Sequence, residues 1–280
     1  MRERAQRFDP RQQIHSNTFE VFHYREPKSA EVEVHYHDFY EVYFLLSGSV
    51  SYWVEGRIYS LEPGDLLLME PMLLHRPLTA QGAVYERIVL WINKEYLEQA
   101  SAQGASLTAC FEGTRLLRPS SRRRADLLAR FGTLVREYYS KEYGSRIYAT
   151  GIFWQLMAEL NRLSLGGQTP KGNEQSTPPL VKGVLDYIGE HYAEELSLEL
   201  LARQFYVSKY HLSHAFSQAV GTGVHRYLML RRLMAAKQLL SEGVAPGDAA
   251  LRCGFRDYTN FFRAFKAEYG TAPRDFAENG

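Results

Sequence analysis

The chain has 280 residues, 45% hydrophobic and 23% charged, which places it among ordinary soluble globular proteins of about two domains. Its two cysteines, Cys110 and Cys253, lie far apart without metal-like spacing, against a disulfide scaffold and in keeping with a reducing cytoplasm. Neither an apolar signal core nor a run of about 18 apolar residues is present, and the net charge of +1 points to no partner.

Residues 1–17 carry many charges and few apolar groups, as a flexible arm would. From about 20 to 92 short β-branched, aromatic or aliphatic runs alternate with turn pairs such as Ser47-Gly48, Glu55-Gly56 and Pro63-Gly64. This spacing predicts an all-β barrel or sandwich within a domain of residues 18–120. Within it, His35, His37 and Glu41 are an even number of residues apart, so one unbroken strand points them to one side. With His75 from a neighbouring strand they offer three imidazoles and a carboxylate, a donor set for Zn²⁺, Fe²⁺, Ni²⁺ or Mn²⁺. The same residues suit polar contacts to a small ligand, or a satisfied core. Tyr24, Tyr43, Trp53, Arg87 and Trp91 are further expected lining residues, suited to a sugar or a small aromatic or carboxylate effector. Each is equally at home in a barrel core.

Residues 121–163 turn to a helical period in two stretches parted by Gly144-Ser145. The apolar stripe of this pair predicts a dimer interface. Arg122-Arg123-Arg124 at its start reads as a solvated run, with DNA phosphates as the alternative. Residues 164–179, rich in Gly, Pro and polar groups, predict a linker. All that follows, 180–280, reads as helix. Leu198, Leu201, Ala202 and Phe205 mark one short helix. After a break at Tyr206-Val207, Ser208 caps a second helix carrying Leu212, Ala215, Phe216 and Ala219. Two short helices around a tight turn make a helix-turn-helix. Its second helix exposes Lys209, Tyr210, His211, Ser213, His214 and Ser217, donors and stacking groups suited to base edges and phosphates. The pattern recurs. Ala249, Ala250 and Leu251 precede a turn at Cys253-Gly254-Phe255. The helix beyond buries Phe261, Phe262, Phe265 and Tyr269, leaving Arg256, Thr259, Asn260, Arg263 and Lys266 for other faces. A helix over about 224–241 joins the two units. The phenylalanines would be core in any all-α domain, and Lys209, His211 and Lys266 would serve as ordinary surface charges there.

The C-terminal third resembles the AraC/XylS-type transcription regulators. The likeness rests on Leu201-Ala202, Ser208, Leu212, Phe216 and Gly221, then on Tyr227-Leu228, Arg232-Leu233, Ala236-Lys237 and Leu239-Leu240. The second unit adds Ala250, Gly254-Phe255, Phe261, Arg263, Phe265-Lys266, Gly270 and Pro273. Ala277 stands where the family often has a basic residue. The resemblance implies two recognition helices in successive major grooves, with Tyr210, Ser213 and His214 contacting bases from the first and Tyr258, Thr259 and Arg263 from the second. It further implies a bacterial activator that works with RNA polymerase. The N-terminal half, by its His35-x-His37, Glu41, Gly48 and Pro63-Gly64-Asp65 to His75 spacings, resembles the cupin-type sensor of such regulators.

These observations give an α+β multidomain chain: a cupin-like β-barrel with a helical pair, then an all-α domain with two helix-turn-helix units. The expected protein is a cytoplasmic, non-enzymatic homodimer that binds double-stranded DNA and a small-molecule effector. It would need no cofactor, although the His35, His37, Glu41 and His75 set leaves room for a divalent transition metal. A metal-dependent cupin enzyme fused to a DNA-binding module is the alternative.

Overall fold

The computed structural model describes residues 13–26, 32–79, 85–101, 105–112, 116–166 and 174–279. Most of the expected N-terminal arm, and residues 167–173 of the expected linker, lie outside these. The chain folds as two units, Met1–Gln175 and Ser176–Gly280.

The first unit contains strands β1 (Phe19–Glu26), β2 (Tyr40–Ser47), β3 (Val50–Val54), β4 (Arg57–Leu61), β5 (Leu66–Met69), β6 (His75–Thr79) and β7 (Tyr85–Ile92). Helix α1 (Lys94–Ser101), a 3₁₀ turn at Ala109–Phe111, strand β8 (Leu116–Leu117), helices α2 (Ser121–Tyr139) and α3 (Ser145–Leu165), and a short strand β9 (Glu174–Ser176) follow. The strands form two separate sheets, one in the order β1-β7-β2-β5-β8 and one in the order β6-β3-β4-β9. Glu55-Gly56, both at positive φ, make the tight β3–β4 turn that matches strand twist.

The closed cupin-like barrel expected from the spacing is therefore corrected. Among the described residues no strand ladder joins the two sheets; a single bridge between His35 and His75 is the connection recorded near β6. The fold is a mixed α/β domain built on two open sheets. The physical reason lies in the side chains. Tyr24, Tyr43, Tyr52, Tyr59, Leu67 and Trp91 fill the space between the sheets, as in a face-to-face sandwich. The other face of the five-stranded sheet is also buried. Phe19, Val42, Phe44, Leu68 and Leu90 pack there against Phe131, Leu134, Phe153 and Leu156 of α2 and α3. Strands covered on both sides read as continuous apolar runs rather than alternating, as β5 and the Ile88–Ile92 part of β7 do in sequence.

Within that second core, the Asn161 side chain binds Leu107 O, Met157 O and Cys110 N, each at 2.9 Å, and so fixes the 3₁₀ turn to α3. Helix α1 was not expected. Its start is set by Asn93, whose Oδ1 accepts from Tyr96 N at 2.9 Å, a cap visible in sequence but followed by too short a run to be read as a helix.

The second unit is all helix: α4 (Pro179–His191), α5 (Leu198–Gln204), α6 (Lys209–Val220), α7 (Val224–Ser241), α8 (Pro246–Arg252), α9 (Tyr258–Tyr269) and α10 (Pro273–Asn279). Helix α7 has two buried sides. Tyr227 meets Phe216 of α6 edge-on with ring centroids 5.6 Å apart. Leu233, Ala236 and Leu240 enter a core with Ala249, Ala250, Cys253, Phe255, Phe261 and Phe265. One helix is thus shared by both helix-turn-helix pairs, α5–α6 and α8–α9.

Candidate nucleic-acid interface and ligand site

The two pairs turn in the same way. In the first, Tyr206 N bonds Arg203 O at 3.2 Å and Val207 N bonds Ala202 O at 2.9 Å; in the second, Gly254 N bonds Leu251 O at 3.1 Å and Phe255 N bonds Ala250 O at 3.0 Å. The left-handed residue is Tyr206 (φ 54°) in one and Gly254 (φ 80°) in the other. Tyr206 is 96% exposed, so its Cβ meets no packed neighbour. At Gly254 a Cβ would lie 2.5 Å from Ala193 O, and only glycine fits.

Each following helix has a side-chain cap. Ser208 Oγ accepts from His211 N at 3.1 Å, and Asp257 Oδ1 accepts from Thr259 N at 2.8 Å. Capping fixes where each helix begins, and with it which residues face outward. Leu212 and Phe216 of α6 and Phe261 and Phe265 of α9 point inward. Lys209, Tyr210, His211, His214 and Ser217 are exposed and Ser213 is half-buried; Arg256, Tyr258, Thr259, Arg263 and Lys266 are exposed. Tyr210 and His214, one turn apart, hold their rings within 2° of parallel. Arg263 donates to Asn260 Oδ1 at 2.7 Å, which steadies its guanidinium in the first turns of α9. Of these outward-facing cations, Lys209 pairs with Glu199 at 2.7 Å and Arg256 with Glu195. Exposed pairs of this kind are weak and screened by solvent, so a phosphate can displace the carboxylate.

The loop between α4 and α5 joins the halves. Arg232 of α7 donates Nε to Tyr192 O and Nη2 to Glu194 O, both at 2.7 Å. Ala193 abuts Gly254, and Glu195 pairs with Arg256. Residues 192–195 therefore hold α7 and the second turn in register with the first pair.

In the first unit, alternation along β7 places Arg87 on the same side as Tyr85, Val89 and Trp91, toward the space between the sheets. Arg87 is buried, with its guanidinium carbon 4.8 Å from the Tyr24 ring centroid and 4.4 Å from that of Tyr85. The Tyr43 hydroxyl meets the Tyr85 hydroxyl, and Tyr43 and Tyr52 meet edge-on at 4.8 Å. Burial pushes the Tyr43 and Tyr52 phenols well above their ordinary values, so both remain protonated. Trp91 packs on Phe22 and Phe39, and Phe39 stacks on His37 with centroids 4.0 Å apart. Trp91 Nε1 and Tyr59 Oη are buried without a hydrogen-bond partner among the described residues. Trp53 is fully buried but has the opposite parity to Val50, Tyr52 and Val54 of β3, and so lies away from this interior. Tyr52 and Tyr85 hold the inward places that sequence reasoning left unassigned. For Tyr52 the signal was available, since it shares parity with Val50 and Val54.

His37, Glu41 and His75 come together as a buried candidate metal-binding triad whose ligand atoms all lie within 4.8 Å of one another. His37 Nε2 is 2.9 Å and His75 Nε2 3.6 Å from Glu41 Oε2. Burial acts to raise the Glu41 carboxyl, but the two imidazoles outweigh it and hold the group well below the usual carboxylate range. Burial also lowers His37. His35 stands beside the triad, its ring 4.3 Å from that of His75 and edge-on to it. Its pKa is pushed down to about 3 by burial and by His75.

A sensor-like sheet domain followed by paired helix-turn-helix units defines a ligand-responsive DNA-binding regulator. Residues 18–157 match the AraC-like ligand binding domain model, and residues 201–279 match a helix-turn-helix domain model. The chain belongs to the AraC-like family of transcription regulators, with a small-molecule-binding domain at its N-terminal side and a DNA-binding domain at its C-terminal side. It is 28% identical over 232 residues to the uncharacterized HTH-type transcriptional regulator YbfI of Bacillus subtilis, covering 81% of this chain and 80% of that one. It is 25% identical over 262 residues to the HTH-type transcriptional activator RhaS of Escherichia coli, covering 89% and 88%. Among solved structures, the C-terminal domain of AraT, a response regulator from Geobacillus stearothermophilus, is 28% identical, covering 38% of this chain and 89% of that one with a TM-score of 0.37. The protein is accordingly a regulator and not the cupin enzyme that the histidine pattern had left open. Among the described residues no helix is long and apolar enough to cross a membrane.

Proposed function

We propose that the protein is a cytoplasmic transcription activator that binds duplex DNA as a homodimer and engages RNA polymerase. The observation that carries the DNA contact is the pair of side-chain-capped helices, α6 and α9, each presenting exposed donors on a rigid core. Tyr210, Ser213 and His214 from α6, and Tyr258, Thr259 and Arg263 from α9, reach base edges. Lys209, His211, Ser217, Arg256 and Lys266 serve the phosphates. The name of the Escherichia coli relative supports activation. Dimerisation is supported by Leu128, Ile147 and Tyr148, which leave an apolar face of α2 and α3 exposed.

The effector enters between the sheets beside Arg87, Tyr24, Tyr43 and Trp91, and displaces some of the side chains that fill that interior without it. Buried polar atoms are normally paired, and one left unpaired costs about 1–3 kcal/mol. A sugar or small aromatic with acceptor groups would satisfy Trp91 Nε1 and Tyr59 Oη while stacking on the aromatic walls. Residues 164–179 act as the connector through which effector binding changes DNA occupancy.

Fluorescence anisotropy with duplexes from upstream of the gene and its neighbours tests the assignment. His214→Ala and Arg263→Ala should each weaken the preferred duplex by about 1–3 kcal/mol and relax base preference. Lys266→Ala should weaken all duplexes alike and reduce the salt slope by about 1. Unchanged affinity and preference in both of the first two variants would contradict the proposed base contacts.

A further inference from the structure

The ring nitrogens of the buried triad pose a chemical problem. His37 Nδ1 lies 2.8 Å from Phe39 O, and His75 Nδ1 lies 2.8 Å from Leu73 O. A carbonyl oxygen only accepts, so each Nδ1 carries hydrogen, and in the neutral ring each Nε2 presents a lone pair. Both lone pairs face Glu41 Oε2, at 2.9 Å and 3.6 Å. The carboxylate also has only lone pairs to offer. Three acceptors thus converge in a buried space.

A proton held between His37 and Glu41 would settle that pair alone. His75 Nε2 would remain buried with no hydrogen-bond partner among the described residues. A cation at the centre engages all three atoms. The backbone carbonyls on the two Nδ1–H groups are then the outer partners that metal-binding histidines ordinarily have, fixing tautomer and ring orientation. The spacing also fits. Ligand atoms around a tetrahedral ion with bonds of about 2.0–2.1 Å stand roughly 3.4 Å apart; the two distances to Glu41 bracket that value, and with all three atoms within 4.8 Å of one another a small approach of the two imidazoles completes the site.

We propose that His37, Glu41 and His75 bind one divalent transition-metal ion of the class that takes imidazole and carboxylate ligands, and that this ion ties the two sheets of the N-terminal domain together. Glu41 belongs to β2 of the five-stranded sheet and His75 to β6 of the four-stranded one, with His37 on the segment leading into β2. The ion would add to the His35–His75 backbone bridge and to the bond from Met72 N to His37 O at 2.8 Å, which already bring these segments together. Three protein ligands leave a fourth coordination position open. The site does not depend on the DNA-binding reading and can fail or stand without it.

The test uses the full chain, purified without a metal-binding tag, stripped with chelator and titrated with Co²⁺ or Zn²⁺. Elemental analysis after gel filtration should find one ion per chain. Co²⁺ should give visible d–d absorption without thiolate charge transfer, and Zn²⁺ should raise the melting temperature. His75→Ala and Glu41→Gln should each weaken binding by more than about 100-fold. His23→Ala, whose imidazole pairs with Glu86 instead, should leave stoichiometry unchanged. Duplex binding on the same samples reports the DNA-binding domain separately. The proposal is overturned if the wild-type chain takes up no Co²⁺, or if the two ligand variants bind it as tightly as wild type. The wild-type spectrum is decisive even where a variant is destabilised.

Discussion

Gly254→Ala is expected to lower the stability of the C-terminal domain by about 2–5 kcal/mol, combining the left-handed backbone cost with overpacking. Gly254 sits at φ +80°, and the added Cβ would lie 2.5 Å from Ala193 O, 2.8 Å from Ala193 C and 3.0 Å from its Cα. These are backbone atoms, so no rotamer change relieves the contact. Either the loop at 192–195 retreats or the second turn opens. Both outcomes move α9 relative to α6, so affinity for DNA should fall further than the affinity lost with any single base-contacting side chain. Urea unfolding followed by circular dichroism would register the change as a lower midpoint of the helical transition. A shift worth less than about 1 kcal/mol would mean that this turn is not pinned by Ala193.

Arg232→Ala strikes the same junction from the other side. Its guanidinium donates two 2.7 Å bonds to Tyr192 O and Glu194 O, carbonyls just beyond the end of α4. Hydrogen bonds with a charged partner contribute about 1.5–3 kcal/mol each, and Arg232 is half-buried. The expected loss is about 3 kcal/mol, with Lys failing to rescue because one ammonium cannot reproduce the fork. Since both substitutions loosen residues 192–195, their combined effect should be smaller than the sum. A double-mutant cycle in urea checks this. Strict additivity would mean that the loop does not couple Arg232 to the second turn.

The helical half was legible because its signals are local. Ser208 as a cap, the Gly254 turn and the α7 span of 224–241 depend on neighbours within a few residues, and each is where the period put it. The strands were legible for the same reason. Their assembly was not. Whether β6 closes onto the other sheet depends on what fills the interior, and that is decided by residues far apart in sequence, such as Tyr24, Tyr52 and Trp91. Parity explains the misplaced aromatic as well. Trp53 attracted attention by its size, whereas alternation with Val50 and Val54 puts Tyr52 inward. His35 shows the limit of the even-spacing argument. The segment before β2 is not a continuous strand, so His37 joins Glu41 and His75 while His35 lies alongside.

The most direct measurement of the regulator reading is a salt series of duplex binding by the full chain, using fragments upstream of its own and adjacent genes against random duplex. About half a dozen phosphate contacts across α6 and α9 predict a log affinity against log salt slope of roughly −5 on a preferred fragment. That fragment should be held well above random sequence at the same salt. Absence of binding at low salt, or binding with no preference and no salt dependence, would contradict it.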